Sequence, residues 1–282
     1  MKRRLYAAVS LLASLVIAWL VLTGPAPKGP QAPASQFSAG RAMADVRAIA
    51  TGPHPVGSPA DAAARDHVIN RMTALGLSPR VQSSVQISDK THRPVEVNTV
   101  IGLFPGREAN AAAVAVMAHY DSVARGPGAA DDAGGTAAVL EIARALRAGG
   151  PTARDVAFVV TDGEEAGMLG AKAFFASDPL AKHLGFVVNM DARGSRGRAM
   201  MFETGAENGE TVRLFARTAV RPVSNSLMVM VYDLLPNFTD FTQGKTRGLA
   251  GVNFAFLGGV ADYHQSTDTT ANFDQRSLQD IG

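Results

Sequence analysis

The chain has 282 residues, a formal net charge of +2 and no cysteine. With 46% hydrophobic residues it can bury a large core, and its nearly balanced charge argues against a nucleic-acid-binding surface. The lack of cysteine excludes disulfides and thiolate metal sites. Any metal ligands must therefore be His, Asp or Glu side chains.

The N-terminus begins with a short basic cluster and a long apolar run. Lys2, Arg3 and Arg4 precede residues 5–22, a stretch about long enough to cross a bilayer. We expect residues 1–23 to anchor the chain in a membrane, with the rest exported to the periplasm or a lumen; a cleaved signal peptide and secretion are the alternative. The Pro- and Ala-rich residues 24–38 indicate a semi-rigid linker. Residues 39–282 would form the folded domain, which is expected to continue beyond this chain in a longer protein.

Strand and helix patterns alternate through the folded domain. Strands are predicted at 80–87, 96–104, 111–118, 155–160, 185–190, 199–203 and 251–257, and helices at 39–50, 59–75, 134–146, 168–175 and 210–219. The first two strands are expected to form a hairpin, and 199–203 an edge strand. This alternation predicts an α/β fold around a mainly parallel sheet.

Acidic and imidazole side chains follow several of the predicted strands. They are His119 with Asp121, Glu164 with Glu165, Asp191 and His264, and the loop after the 111–118 strand adds Asp131 and Asp132. Because parallel strands bring their carboxyl ends to one edge of a sheet, these groups should converge. Clustered carboxylates repel one another unless cations neutralise them, and His with carboxylate is a ligand set that zinc accepts. The sequence therefore predicts a metal site.

Five motifs carry a resemblance to a known family. Along the chain they read HYDSV, GPGAADDAGG, TDGEEAG, NMDARG and ADYHQSTDT. Together they resemble metallopeptidase family twenty-eight, the co-catalytic two-zinc aminopeptidases and their membrane-anchored relatives, over about residues 40–282. The NMDARGSRGRAMMFETG stretch and the N-terminal apolar segment are most similar to the endoplasmic-reticulum and vacuolar protease branch. The resemblance implies a three-layer α/β/α sandwich with a mixed, mainly parallel sheet, the zinc-exopeptidase or phosphorylase/hydrolase-like fold.

The resemblance also implies a role for each site residue. His119 and Asp191 would bind one zinc ion, Glu165 and His264 the other, and Asp131 would bridge the two. The chemistry implied is attack on the scissile carbonyl by a hydroxide bridging both ions.

Three further residues are predicted to act beside the metal ligands. Glu164 would be the general base. Asp121 would hydrogen-bond the free ring nitrogen of His119, and Tyr263 is a candidate donor to the oxyanion.

Other polar residues near these motifs receive weaker roles. Asp132 is expected to be structural, and the resemblance implies a strained peptide bond before it. Asn237 and Asp240 are expected to line the cleft. His54 is expected to be structural or surface, and His183 to face solvent.

The leading hypothesis is a two-zinc exopeptidase, most simply an aminopeptidase acting on peptide substrates. Two alternatives remain open: a non-catalytic peptidase-like ectodomain and a glutaminyl-cyclase-like zinc acyltransferase. An ectodomain should have lost ligands or the base, and a cyclase needs only one zinc; the intact Asp131–Asp132 pair favours two ions. The sequence leaves side-chain preference and oligomeric state open.

Overall fold

A computed structural model of the protein describes residues 2–108 and 110–282. Seven strands form one sheet in the order β1-β2-β4-β3-β5-β7-β6. Their bounds are β1 Arg80–Ile87, β2 Pro94–Phe104, β3 Ala113–His119, β4 Val156–Thr161, β5 Leu184–Ala192, β6 Met200–Thr204 and β7 Ala250–Phe256.

The four central strands β4, β3, β5 and β7 run parallel, and the outer strands pair antiparallel. This confirms the mixed, mainly parallel sheet, the β1–β2 hairpin and the edge position of β6. The carboxyl ends of the central strands lie together, with His119 of β3 in register with Thr161 of β4. The motifs that follow these strands are therefore brought to one edge.

Nine α-helices are found in the described part of the chain. They are α1 Lys2–Leu22, α2 Ala39–Ile49, α3 Pro59–Ala74, α4 Ala133–Gly149, α5 Leu169–Ser177, α6 Gly209–Thr218, α7 Ser226–Leu234, α8 Asp240–Lys245 and α9 Gln275–Ile281. Ser58 caps α3 and accepts a hydrogen bond from the Asp61 backbone N–H at 3.1 Å. Helices α7 and α8 were not predicted.

The sheet is covered on both faces, which confirms the three-layer α/β/α sandwich. Along β3, Val116 and Ala118 pack in the core with α2, α3, α4 and α9, while Ala115 and Met117 pack on the other face with α5 and α8. Burial on both faces explains why the central strands are continuous apolar runs.

The N-terminal region lies outside the sandwich core. The apolar side chains of α1 in residues 5–19 are exposed, for example Leu5, Leu12 and Trp19. None of the helices in residues 2–108 and 110–282 combines the length and apolarity needed to cross a membrane, so the structure does not confirm the predicted transmembrane helix. The predicted linker contacts the folded domain: the Lys28 N–H donates to the Gln279 side chain at 2.8 Å.

Candidate metal centre and active site

A pocket of about 350 Å³ opens at the carboxyl edge of the parallel strands. This volume lies at the small end of the usual range for ligand pockets. Its polar lining includes Asp131, Glu164, Glu165, Asp191 and His264. The sheet thus brings four separate sequence motifs to one cavity, as expected for a ligand site in a parallel α/β fold.

His119 ends β3 and is 2% exposed. Its Nδ1 lies 3.0 Å from the backbone carbonyl oxygen of Asp121, an acceptor that requires the proton to sit on Nδ1. In the neutral imidazole Nε2 then carries the lone pair, and it lies 3.3 Å from Oδ1 of Asp131. The imidazole is therefore oriented to offer Nε2 as a ligand.

Asp131 also faces the second histidine of the site. Its Oδ2 lies 3.2 Å from Nε2 of His264, and the same nitrogen lies 3.0 Å from Oε1 of Glu165. Each oxygen of the Asp131 carboxylate thus faces a different imidazole. One carboxylate shared between two histidines is the arrangement expected of a bridging ligand.

The donor atoms of this cluster fit metal ions better than they fit one another. His119 Nε2, Asp131 Oδ2 and Glu165 Oε1 are buried and have no aligned hydrogen-bond partner among the described residues, despite these short approaches. Tetrahedral ligands at zinc bond lengths lie about 3.3 Å apart, which is the spacing observed here. The groups His119/Asp131/Asp191 and Asp131/Glu165/His264 each hold their ligand atoms within 4.8 Å of one another.

A third group that meets the same criterion contains Glu164. It combines His119, Glu164 and Glu165. The first two groups match the ligand sets implied by the family resemblance, and neither of them includes Glu164. The distances alone therefore do not distinguish a general base from an additional metal ligand at Glu164.

The charges of the cluster are poorly balanced without a cation. Burial and neighbouring carboxylates raise the pKa of Glu164 and Glu165, and they raise the pKa of Asp191 to about 7. For His264 burial acts in the opposite direction, but Asp131 and Glu165 outweigh it and raise its pKa to about 9. Divalent ions would replace these retained protons, because ligands bind metals in their deprotonated forms.

The Asp121 side chain hydrogen-bonds to the backbone of Glu164 and Glu165, a role that the sequence did not predict. Its carboxylate accepts the backbone N–H groups of Glu164 at 3.0 Å and Glu165 at 3.2 Å. One oxygen also lies 3.3 Å from His119 Nδ1, but the hydrogen bond from Nδ1 goes to the closer backbone carbonyl of Asp121, whereas the carboxylate was the predicted partner. Asp121 therefore links the β3 end to the turn that carries Glu164 and Glu165.

Two further aspartates shape the loop around Asp131. Asp132 is buried, caps α4 through the Gly135 N–H at 2.9 Å, and follows a cis peptide bond. Asp268 accepts the N–H groups of Ala130 at 2.8 Å and of Asp131 at 3.2 Å. The structural role of Asp132 was predicted; that of Asp268, four residues after His264, was missed.

With this geometry established, comparison with known proteins decides the family. A sequence model described as Peptidase family M28 matches residues 99–282. The chain belongs to Peptidase family M28. The predicted family resemblance is thereby confirmed.

Curated relatives of this M28 chain agree with the predicted branch. Endoplasmic reticulum metallopeptidase 1 of Mus musculus is 31% identical over 189 residues, covering 66% of this chain and 21% of the relative. The vacuolar membrane protease of Candida dubliniensis is 32% identical over 185 residues, covering 65% and 20%. The match thus spans about a fifth of the length of these relatives.

Solved structures share the fold of the M28 chain at low identity. An aminopeptidase from Aneurinibacillus sp. strain AM-1 superposes with a TM-score of 0.73 at 14% identity, covering 88% of this chain and 92% of that one. Porphyromonas gingivalis glutaminyl cyclase gives 0.70 at 18% identity, covering 87% and 95%. These likenesses confirm the fold class, and both chemistries occur on it.

The remaining predicted residues of the M28 chain fall around the pocket with mixed outcomes. Tyr263 and Asn237 line it, but Asp240 is absent from the described lining; it is buried and accepts a hydrogen bond from Thr161, so its predicted cleft position is wrong. His54 is buried, with Nδ1 2.8 Å from the Gly52 carbonyl oxygen, which makes it structural. His183 is exposed, as predicted.

One wall of the pocket was missed by sequence reasoning. It is apolar and is formed by β6, by α7 with the loop that follows it, and by the end of β7. Its lining residues include Phe202, Met228, Val231, Leu235, Phe238 and Leu257. Lys90, in the β1–β2 turn, also lines the pocket and donates to the Glu165 backbone carbonyl. Only the apolar run in α7 offered a sequence signal.

Proposed function

We propose that this M28 chain is a zinc-dependent metallopeptidase that removes N-terminal residues from peptides and uses two zinc ions. The observation that carries the proposal is the position of Asp131, with one carboxylate oxygen 3.3 Å from His119 Nε2 and the other 3.2 Å from His264 Nε2. Asp191 would complete the His119 site and Glu165 the His264 site. When bound, the ions would supply Lewis-acid polarisation of the scissile carbonyl and lower the pKa of the attacking water.

Glu164 is the residue that we assign to proton transfer. It lies in the pocket beside Glu165, and burial followed by the neighbouring acidic groups raises its pKa. A carboxylate with a raised pKa holds a proton more readily at neutral pH, which suits a group that accepts a proton from water and returns it to the leaving amine. The two N–H donors bound by Asp121 keep the turn that carries Glu164 in place.

Tyr263 is assigned to the substrate oxyanion. Its ring lines the pocket and stacks on the His264 ring, with centroids 3.8 Å apart. The stacking places the phenol next to the metal centre, where its O–H would donate to the developing negative charge. Burial, followed by the nearby carboxylates, raises the pKa of Tyr263, so the phenol keeps its proton at neutral pH.

The proposed reaction can be tested with the zinc-loaded protein and two short peptides that differ only in N-terminal acetylation. We expect release of the first residue from the free peptide alone, loss of turnover with a chelator and recovery with zinc. Hydrolysis of both peptides would contradict aminopeptidase action. Cyclisation of an N-terminal glutaminyl peptide, without peptide-bond cleavage, would favour the acyltransferase; no chemistry with zinc bound would favour the non-catalytic ectodomain.

We further propose that the chain works at a membrane, with its peptidase domain outside the cytoplasm. The support is the exposed apolar surface of α1, the basic residues 2–4 in its first turn and the membrane location in the name of the Candida relative. Deleting residues 2–22 should move the protein from the membrane to the soluble fraction, while a reporter fused after Gly40 should be active only outside the cytoplasm. Unchanged fractionation would contradict the role of α1, and cytoplasmic reporter activity the location.

A further inference from the structure

An exposed arginine lines the pocket beside the proposed metal centre. Arg193 follows β5, two residues after Asp191, and its side chain reaches the pocket. Its guanidinium carbon lies 4.8 Å from the centre of the Tyr263 ring, and its Nη1 donates to Asn237 Oδ1 at 3.1 Å. Two contacts from different segments thus hold this cation at the pocket.

The positive charge of Arg193 has no counterion among the described residues. Other arginines of the fold pair with buried carboxylates, for example Arg41 with Glu141 and Arg80 with Asp178. Arg193 makes no such ion pair in residues 2–108 and 110–282, and only its bond to Asn237 occupies a guanidinium N–H there. The fork of remaining donors is available to an anion, and a guanidinium binds a carboxylate in a bidentate manner.

The distance from the metal centre limits which carboxylate can bind. The centre of the Tyr263 ring lies 3.8 Å from the centre of the His264 ring and 4.8 Å from the Arg193 guanidinium carbon. The distance from the guanidinium carbon to the His264 ring centre therefore cannot exceed the sum of these two distances. One amino-acid residue spans roughly 3.5 Å. A substrate with its scissile carbonyl at the histidines would therefore place the carboxylate of the very next residue within reach of Arg193.

We propose that Arg193 binds the C-terminal carboxylate of dipeptide substrates, which makes this chain an exopeptidase with a preference for dipeptides. The inference rests on the proposed function and adds the substrate class. The small pocket agrees with it, because its apolar wall would hold the first side chain while Arg193 holds the terminal charge of the second residue.

The test compares leucyl-alanine with leucyl-alaninamide, which lacks only the terminal charge. The wild-type protein, loaded with zinc, should have the higher kcat/KM for leucyl-alanine. Arg193→Gln should reduce the ratio of the two kcat/KM values by roughly 10–100-fold, the size expected for a charge-assisted hydrogen-bonded pair. Arg217→Gln, which removes an exposed arginine of α6 away from the pocket, should leave the ratio unchanged.

The amide substrate separates recognition from positioning. An equal loss on both substrates in Arg193→Gln would show that the arginine only supports Tyr263, and it would overturn the inference, as would an unchanged ratio or a wild-type preference for the amide. Absence of hydrolysis of both substrates by the zinc-loaded wild-type protein would contradict the proposed function itself, and the inference with it.

Discussion

At the scale of single residues, the site depends on two kinds of carboxylate. One kind faces the histidines, and the other accepts backbone N–H groups of the surrounding loops. Asp131 divides its two oxygens between His119 and His264, while Asp121 and Asp268 hold the backbone on either side of the cluster. Substituting Asp121 or Asp268 should therefore shift the position of a neighbouring metal-binding side chain without removing that side chain. Removing the shared carboxylate should affect both metal positions together.

Glu164→Gln tests the assignment of the base. The amide cannot accept a proton from water, but it fills the same space and adds no charge. We expect turnover to fall by about 10²–10⁴-fold with zinc content unchanged. Steady-state kinetics and metal analysis on the same preparation measure both, and near-wild-type turnover with zinc retained would remove Glu164 from the mechanism.

Asp121→Asn tests the support beneath the glutamate turn. The wild-type carboxylate accepts two N–H groups, at Glu164 and Glu165, whereas an asparagine amide offers one oxygen and turns a donor towards the other N–H. Zinc affinity should weaken by roughly 10–100-fold, with activity reduced to match. Chelator titration measures the affinity; zinc release as easy as in Asp131→Asn would instead make Asp121 a direct ligand.

Asp61→Asn tests a buried carboxylate outside the metal centre. Burial and then the nearby Asp162 raise the Asp61 pKa from 3.8 to about 8, while its Oδ2 accepts the Gly57 N–H at 3.0 Å. A folded-state pKa above the unfolded value gives stability that is complete below about pH 4 and is lost as the pH rises towards about 8. The variant removes this loss and keeps an acceptor for Gly57.

Urea unfolding at about pH 5 and about pH 9 measures the effect. Relative to wild type, Asp61→Asn should gain at least about 1 kcal/mol more at the higher pH. Asp66→Asn, an exposed acid on the same helix, should show no such difference. A constant difference between Asp61→Asn and wild type at both pH values would show that Asp61 is ionised in the folded protein.

At the scale of elements, the sequence predicts the buried strands and misses the elements and contacts that depend on residues far away in the chain. The central strands were placed to within a few residues because their apolar runs are buried on both faces. Helix α7 has no buried residue and hence no core-facing stripe to recognise, and α8 has only 6 residues. Lys90 reaches Glu165 from a hairpin far away in the chain, a contact that no local pattern encodes.

The convergence of the proposed metal-binding residues was predictable because each lies at or after the end of a central strand, and the parallel sheet brings such positions together. Asp240 was misplaced for a related reason. It begins α8 and points towards Thr161 under the site, an orientation set by how α8 packs on the sheet. The role of Asp268 likewise depends on a loop folding back onto Asp131.

Met228→Glu tests whether α7 contributes to substrate binding. Met228 lines the pocket, while Leu234 on the same helix is 77% exposed and is not among the described lining residues. A charge in the apolar wall should lower kcat/KM for peptides with an apolar first residue by about 10–100-fold. Leu234→Glu should change it little; equal effects of the two substitutions would mean that α7 acts through the fold.

At the scale of the whole molecule, the sandwich serves to bring four loops to one edge and hold their charges close together. Burial and mutual repulsion raise the pKa values of Glu164, Glu165 and Asp191, so without a bound cation these groups destabilise the folded state when they are ionised. Two dications would offset this repulsion. If Asp131 bridges two zinc ions, as proposed, the decisive quantities are the number of ions bound and the dependence of both on this one residue.

Metal analysis of the purified wild-type protein and of Asp131→Asn, after equilibration with the same free zinc, tests the proposed bridging role of Asp131. We expect about two zinc ions per wild-type chain and a parallel loss of both in the variant, because an amide removes the shared negative charge between two dications. A single zinc ion in the wild-type chain, or two zinc ions retained by Asp131→Asn, would contradict it.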